Sequence, residues 1–126
     1  MSQQADSKNN IPANMEVVYF GLLLAGPNAD AIESADLEKI QADHMAHIQK
    51  LATAGKLVLA GPFLDGGQRR GVFVFRTETL DEAEALAAAD PAVKAGRLAV
   101  DIHPWMVEKG AIPATAVSPK THSETK

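Results

Sequence analysis

The 126-residue sequence contains no cysteine. This absence excludes a disulfide framework, a thiol nucleophile and any metal site with cysteine ligands. No stretch is long and apolar enough to span a bilayer. Cations are also scarce, because 12 Lys and Arg residues stand against 16 Asp and Glu residues and leave a net charge of -4. We therefore expect binding neither to nucleic acid nor to a membrane, since both require clustered basic residues.

Several common sequence motifs are absent as well. The chain has no G-x-S-x-G element, no P-loop and no dinucleotide fingerprint, and we expect no cofactor. Residues 1–14 carry neither a basic start nor an apolar run, so they do not resemble a signal peptide. The cytoplasm is the default expectation for location, and a leader replaced by an engineered methionine would leave the same sequence.

Periodic apolar residues extend over residues 15–110, which is enough chain for one domain and too little for two. The hydrophobic fraction of 46% and the charged fraction of 22% are ordinary for a globular protein. Residues 1–14 and 111–126 lack this periodicity, and the second of these segments mixes Pro, Ser, Thr and Lys. We predict that both flanking segments are flexible.

Four segments rich in β-branched and aromatic residues predict strands. They are residues 16–25, 57–64, 71–75 and 98–105. The Asp-Gly-Gly turn at 65–67 predicts a hairpin between the second and third strands. Pro62 places its part of the second strand at a sheet edge or a bulge, because proline has no amide proton to donate.

Two helices are predicted between these strands. The first starts at either Asp30 or Ser34 and ends where Gly55 supplies a left-handed residue. Thr79 begins the second with a capping box, and this helix ends where Asp90 precedes a proline.

The resulting order is βαββαβ, the ferredoxin-like pattern of an α+β fold: an antiparallel sheet with both helices on one face. The first and third strands are apolar on both faces, which is unusual for a sheet with one face in water. A second copy of the chain is the most economical cover for the open face. We therefore predict a homodimer that forms a dimeric α/β barrel.

One histidine occupies the apolar stripe of the first helix. The helical repeat of about 100° per residue aligns it with four aliphatic residues. The stripe is Leu37, Ile40, His44, Ile48 and Leu51. Burying an unpaired polar group costs roughly 2 to 7 kcal/mol on transfer scales, so His44 needs either a hydrogen-bond partner or a chemical role.

Asp90 is a candidate partner for His44. It lies at the end of the second helix, where an anion is unfavourable unless a donor is close. It also suits the N-cap of a short turn that starts at Pro91 and ends at Gly96. Both helices cover the same sheet face, so contact between His44 and Asp90 is geometrically possible. Such a pair fixes the imidazole tautomer for general acid–base catalysis, and it equally suits a structural polar pair.

The break at Gly61, Pro62 and Phe63 places backbone and an aromatic ring beside a possible cavity, although such segments are also ordinary turns.

Arg69 and Arg70 are expected in a solvated turn, with anion capture as the lesser alternative. His103 and Trp105, on the less hydrophobic face of the last strand, suit packing, the dimer seam or a pocket.

A metal site is the weaker alternative at the first helix. His44 and His47, three residues apart, would need Asp43 or His103 as a further ligand. His47 is rotated about 60° from the apolar stripe, and no H-E-x-x-H pattern supports zinc. We predict no metal.

The chain resembles the YciI-like (YCII-related domain) family. The resemblance rests on DHMAHIQKLATAGKLVLAGPFLDGG at 43–67, ADPAVKAGRL at 89–98 and a last strand ending in HPW at 103–105. It implies a dimeric ferredoxin-like barrel with a pocket between helices and sheet. It also implies a catalytic pair of His44 and Asp90. Many members have arginine where this chain has His47, and we include His47 among the substrate-binding residues.

Two functions remain open at this point. The first is a cofactor-independent lyase or isomerase that acts on a small organic acid or an intermediate of aromatic degradation. In it, His44 and Asp90 are catalytic, and Gly61, Pro62, Phe63 and His47 bind the substrate. The second is a homodimer that binds a small ligand or serves as an accessory protein without catalysis, in which His44 and Asp90 are structural.

Overall fold

The computed structural model describes residues 10–113, which form four strands and three helices. The elements are β1 (Met15–Ala25), α1 (Ser34–Thr53), β2 (Leu57–Pro62), β3 (Arg69–Phe75), α2 (Leu80–Ala88), α3 (Pro91–Lys94) and β4 (Leu98–Glu108). The sheet order is β2-β3-β1-β4, and every neighbouring pair is antiparallel. This confirms the ferredoxin-like α+β prediction, with α3 as the short turn expected after Asp90.

Helix α1 begins at Ser34, so the alternative start at Asp30 is wrong. Glu33 is the N-cap, and its side chain makes no capping hydrogen bond. The preceding chain is held elsewhere: the amide N–H of Asn28 donates to Gly96 O at 2.8 Å, and its side chain donates to Ala95 O. These bonds hold Asn28 against the loop after α3, and the helix begins only at Ser34.

The predicted end of α1 is confirmed. Gly55 has a φ of 77°, in the region that side chains other than glycine rarely adopt. Its N–H donates to Ala52 O, and the N–H of Lys56 donates to Leu51 O. These two bonds form a Schellman motif, which satisfies carbonyls that the helix end would otherwise leave unpaired.

Four strand boundaries differ from the prediction. Strand β1 begins at Met15 rather than at residue 16. Strand β2 ends at Pro62 rather than at residue 64, because after one more bond, from Phe63 N–H to Arg70 O, the chain turns away from β3. Strand β3 begins at Arg69 instead of residue 71. Strand β4 extends to Glu108 rather than 105, since it pairs with β1 along its whole length. Pro62 does lie on an edge strand, as predicted.

The sheet buries apolar residues on both faces. Core residues on the helix side come from alternate strand positions and from α1 and α2. They are Val17, Tyr19, Leu23, Leu51, Leu57, Phe73, Phe75, Ala83 and Ala87. The opposite face carries a second cluster of Val18, Val58, Val74 and Ile112. The helices therefore cover one face, and the chain after β4 covers part of the other.

Both ends of the described chain contact these clusters. Ile11 packs against the helix-side core, and Ile112 is buried against the opposite face. Residues 1–9 and 114–126 of the flanking segments predicted to be flexible lie outside the described residues. No helix within 10–113 combines the length and apolar character needed to cross a membrane.

The rest of the second sheet face remains apolar and accessible. Leu59 is 53% exposed and Trp105 is 44% exposed. The Trp105 ring meets Phe20 edge-on, with centroids 5.3 Å apart. In register, Phe20 lies between Val74 and His103, which places the aromatic pair on the face opposite the helices.

Glu16 and Arg76 form an ion pair on this face. Arg76 donates to both carboxylate oxygens of Glu16, at 3.0 and 2.8 Å. It also donates to the carbonyls of Pro113 and Ile112. The hydrogen bond from Arg76 lowers the pKa of Glu16 below its ordinary value of 4.5.

We predict that this pair makes stability depend on pH in acid. The folded pKa of Glu16 is lower than the unfolded one, so the stabilisation is complete above the unfolded pKa and is lost as the pH falls through the folded pKa. We expect Glu16→Gln to lower the free energy of unfolding by about 1 kcal/mol near pH 7 and by almost nothing near pH 3. Urea unfolding at the two pH values measures this.

The exposed Lys39–Asp43 pair provides the control. Asp43→Asn should change stability less, because solvent screens exposed pairs. An equal loss from Glu16→Gln at both pH values would contradict the prediction.

Candidate active site

His44 and Asp90 meet between α1 and α3. Nδ1 of His44 lies 2.9 Å from Oδ1 and 2.8 Å from Oδ2 of Asp90. The carboxylate is fully buried, and His44 is 9% exposed. The structure thus brings together two residues that are 46 positions apart in the chain.

Asp90 reaches this place because it caps α3. Its Oδ1 accepts the N–H of Ala92 at 2.8 Å, and Pro91 occupies the first helical position. Proline suits that position because no amide proton is needed there. The cap holds the carboxylate still, and the second oxygen remains available to His44.

The pair determines which ring nitrogen of His44 carries the proton. A carboxylate only accepts, so Nδ1–H donates to Asp90 and the neutral ring keeps Nε2 as its acceptor. Within residues 10–113, Nε2 has no hydrogen-bond partner, and it is not among the buried unpaired atoms. His44 therefore offers an unprotonated nitrogen that a ligand can reach.

Phe73 supports the imidazole from the sheet. The two rings are nearly parallel, with an angle of 20° and centroids 6.0 Å apart. Phe73 itself is 1% exposed and packs edge-on against Phe75. The ring of His44 is thus held by Asp90 at one edge and by a rigid aromatic residue on one face.

His44 lies in the wall of a pocket of about 390 Å³ between α1 and the sheet. The residues that line it are Leu23, Gln41, His44, Met45, Ile48, Ala60, Gly61, Pro62, Phe63, Gly66, Arg70, Phe73, Arg97 and Leu98. This volume is within the ordinary range of small-molecule sites. Gly61, Pro62 and Phe63, predicted from the sequence to bind substrate, all lie in this lining.

The structure does not bring His47 to the pocket. Its Nε2–H donates to the carbonyl of Leu86 on α2 at 3.0 Å, and the lining of the pocket does not include it. His47 follows His44 by three residues, about 60° short of a full turn, and its side chain points towards α2 instead.

Two arginines that sequence analysis did not assign to a site also line the pocket. Arg70 was expected in a solvated turn, with anion capture as the lesser alternative, and the structure places it among the residues that line the pocket. Arg97 follows the glycine that ends α3. The position of Arg97 just after the Asp90 segment could have marked it as a site residue. Nothing in the local sequence pattern distinguished Arg70 from Arg69.

The remaining polar candidates lie elsewhere. His103 is paired with Asp101, and both are exposed. Asp43 pairs with Lys39 on the surface of α1. In the described part of the chain, no group of three His, Asp or Glu residues is arranged to hold a metal ion.

Comparison with known proteins identifies the family of this chain. The family described as the YCII-related domain matches residues 20–106. The chain belongs to this family. An uncharacterised protein of Bacillus subtilis (strain 168), YjpA, is 30% identical over 76 residues, which cover 57% of this chain and 87% of YjpA. The family resemblance expected from the sequence is thereby confirmed.

A solved structure shares the fold of this family member. The 5-chloro-2-hydroxyhydroquinone dehydrochlorinase TftG from Burkholderia phenoliruptrix AC1100, in complex with 2,5-dihydroxybenzoquinone, matches with a TM-score of 0.54. It is 21% identical, and the match covers 70% of this chain and 92% of TftG. Protein Atu4242 from Agrobacterium tumefaciens is 18% identical over 81% of this chain and 97% of its own, with a TM-score of 0.37.

The geometry predicts opposite tautomers for the two histidines of α1. In its neutral form, His44 should carry the proton on Nδ1, because Asp90 accepts it there. His47 should carry it on Nε2, because Leu86 O accepts it there. Long-range proton–nitrogen NMR correlations distinguish the two tautomers directly, and His47 acts as the internal reference. A proton on Nε2 of neutral His44 would contradict the assigned network.

Proposed function

We propose that the protein is a small cofactor-independent enzyme of the lyase or isomerase type. Its substrate is a small organic acid or an intermediate of aromatic degradation. The observation that carries this proposal is the single acceptor nitrogen of His44, oriented by a buried carboxylate and facing a pocket of about 390 Å³. Asp90 is a positioning residue, since it acts through His44.

The pair supports proton transfer at one atom. Nε2 of His44 takes a proton from the substrate, and the electron pair left behind moves into the substrate framework. Asp90 stabilises the imidazolium that forms, because its carboxylate is already in contact with Nδ1–H. In an isomerase the proton then returns to another carbon, and in a lyase the electron pair expels a leaving group.

The comparison with TftG supports the choice of substrate class. TftG is named for the removal of hydrogen chloride from a hydroxylated aromatic ring, and its structure holds a dihydroxylated quinone. A pocket lined by Leu23, Phe63 and Phe73, with a few polar side chains, suits a flat molecule of that size.

Replacing His44 tests the catalytic role. We expect His44→Gln and His44→Ala to lower kcat by about 10²- to 10⁴-fold, the range typical of a general acid–base group. Chloride release from 5-chloro-2-hydroxyhydroquinone is the first assay, followed by a panel of small unsaturated acids. Full activity in both variants would end the assignment.

The same variants address the non-catalytic alternative, an accessory or ligand-binding dimer. The contact with Phe73 and the buried carboxylate suit a structural pair as well. In that case His44→Ala lowers stability by about 1 to 3 kcal/mol, because the carboxylate loses a buried partner, and no activity changes. Unchanged or raised stability, measured by urea unfolding, favours a residue kept for function.

We also propose that the protein is a homodimer joined through the open sheet face. That face carries the exposed Leu59 and Trp105 beside Phe20. Contiguous apolar surface of this kind marks an interface more often than a solvated face. A second copy supplies a complementary apolar face by two-fold symmetry.

Light scattering after gel filtration measures the assembly. We expect twice the chain mass of 13.3 kDa at micromolar concentration. Trp105→Lys should shift the protein towards the monomer, because it places a charge in the apolar interface. Met45→Lys is the control, since Met45 is also exposed but lies on the helix side. A wild-type monomer would contradict the proposal.

A further inference from the structure

The pocket beside His44 is lined by cations and by no anion. Arg70 and Arg97 join His44 as its ionisable lining residues, and none of the Asp or Glu residues within 10–113 belongs to the lining. Asp90 lies behind the imidazole and is fully buried. This contrasts with the net charge of -4 on the whole chain. Clefts lined by one sign of charge attract ligands of the opposite sign.

Arg70 carries a donor without an acceptor. Its Nε is buried and has no hydrogen-bond partner among the described residues. The terminal nitrogens of Arg70 are not among the buried unpaired atoms, so a ligand in the pocket can reach them while Nε itself stays enclosed. The atom belongs to a guanidinium, which stays charged and whose cost of burial is compensated best by an anion.

The fold directs Arg70 out of the regular strand alternation. Leu23 pairs with Gly71 and Leu24 pairs with Arg69, so Arg70 is an additional residue in β3. Such a β-bulge changes the direction of a side chain and is common next to active sites. With regular alternation, Arg70 would share the opposite sheet face with Val72 and Val74.

Arg97, which also lines the pocket, is held by backbone bonds. Its N–H donates to Ala92 O, and its carbonyl accepts from Gly26 N–H. The short helix α3 thus begins with Asp90, the partner of His44, and ends next to Arg97. This short helix therefore fixes the positions of both Asp90, which orients His44, and Arg97.

We propose that Arg70, assisted by Arg97, binds a carboxylate of the substrate while the reacting carbon faces Nε2 of His44. The planar fork of Arg70 suits a carboxylate, which accepts from N–H groups of the two terminal nitrogens together. This specificity role rests on the proposed function for its chemistry, but the binding of the anion does not require turnover.

The arrangement also fits the proton-transfer step. A proton leaves the carbon next to the carboxylate and binds Nε2 of His44. The electron pair of that bond delocalises towards the carboxylate oxygens, where the guanidinium of Arg70 lies. Fixed positive charge at the place where negative charge develops is the usual means of stabilising such an intermediate.

Benzoate and benzamide are the probes for this inference, because they have nearly the same size and differ in charge. With the full-length chain, isothermal titration should show that benzoate binds at least about tenfold more tightly than benzamide, as expected for a charge-assisted bidentate contact. Arg70→Gln should remove this preference and leave benzamide binding unchanged. Arg97→Gln should reduce it less.

Arg69→Gln is the matched control. Arg69 precedes Arg70 in β3, is exposed, and does not line the pocket. It should keep the wild-type preference for benzoate. No measurable benzoate binding, equal affinity for both probes, or the same loss in Arg69→Gln as in Arg70→Gln would overturn the inference.

His44→Gln separates this inference from the proposed function. A preference for benzoate that persists in His44→Gln supports the anion site independently of proton transfer. If the preference holds while His44 variants keep full activity, the catalytic proposal fails and the anion site stands. If activity depends on His44 but the wild type does not prefer benzoate, the anion site fails and catalysis stands.

Discussion

The contact between His44 and Asp90 joins the parts of this protein that make its pocket. It connects α1 to the N-cap of α3. Nδ1 of the buried His44 lies 2.9 and 2.8 Å from the two carboxylate oxygens of Asp90. Asp90 also caps α3, so the same carboxylate shapes the backbone and orients the imidazole. Because both roles converge on one side chain, the tautomer of His44 follows from the fold of α3, and the pocket acquires one accessible acceptor nitrogen.

The pocket combines this acceptor with positive charge and apolar walls. Phe73 supports the imidazole, and Arg70 and Arg97 supply the cations. A proton acceptor and cations in one pocket suit chemistry next to a carboxylate. The far sheet face, with Trp105 exposed, has a different character and suits contact with a second copy.

The local sequence was sufficient for much of the fold. Gly55, Thr79 and Pro91 each mark a helix boundary for a stereochemical reason, and the structure has all three where expected. The start of α1 was harder, because Asp30 satisfied a capping pattern while contacts of Asn28 with the loop after α3 decided the outcome. Those contacts join residues far apart in the chain, so a local pattern does not reveal them.

The amino-acid sequence was enough to predict the element order, the buried place of His44 in the helical stripe and Asp90 as its candidate partner. Periodicity and capping are local properties, and they suffice for such conclusions. Tertiary structure alone decided that the two residues touch, that His47 turns towards Leu86 and that Arg70 reaches the pocket. The reason for Arg70 is physical: a bulge is defined by the register between two strands, and register exists only once the strands have paired.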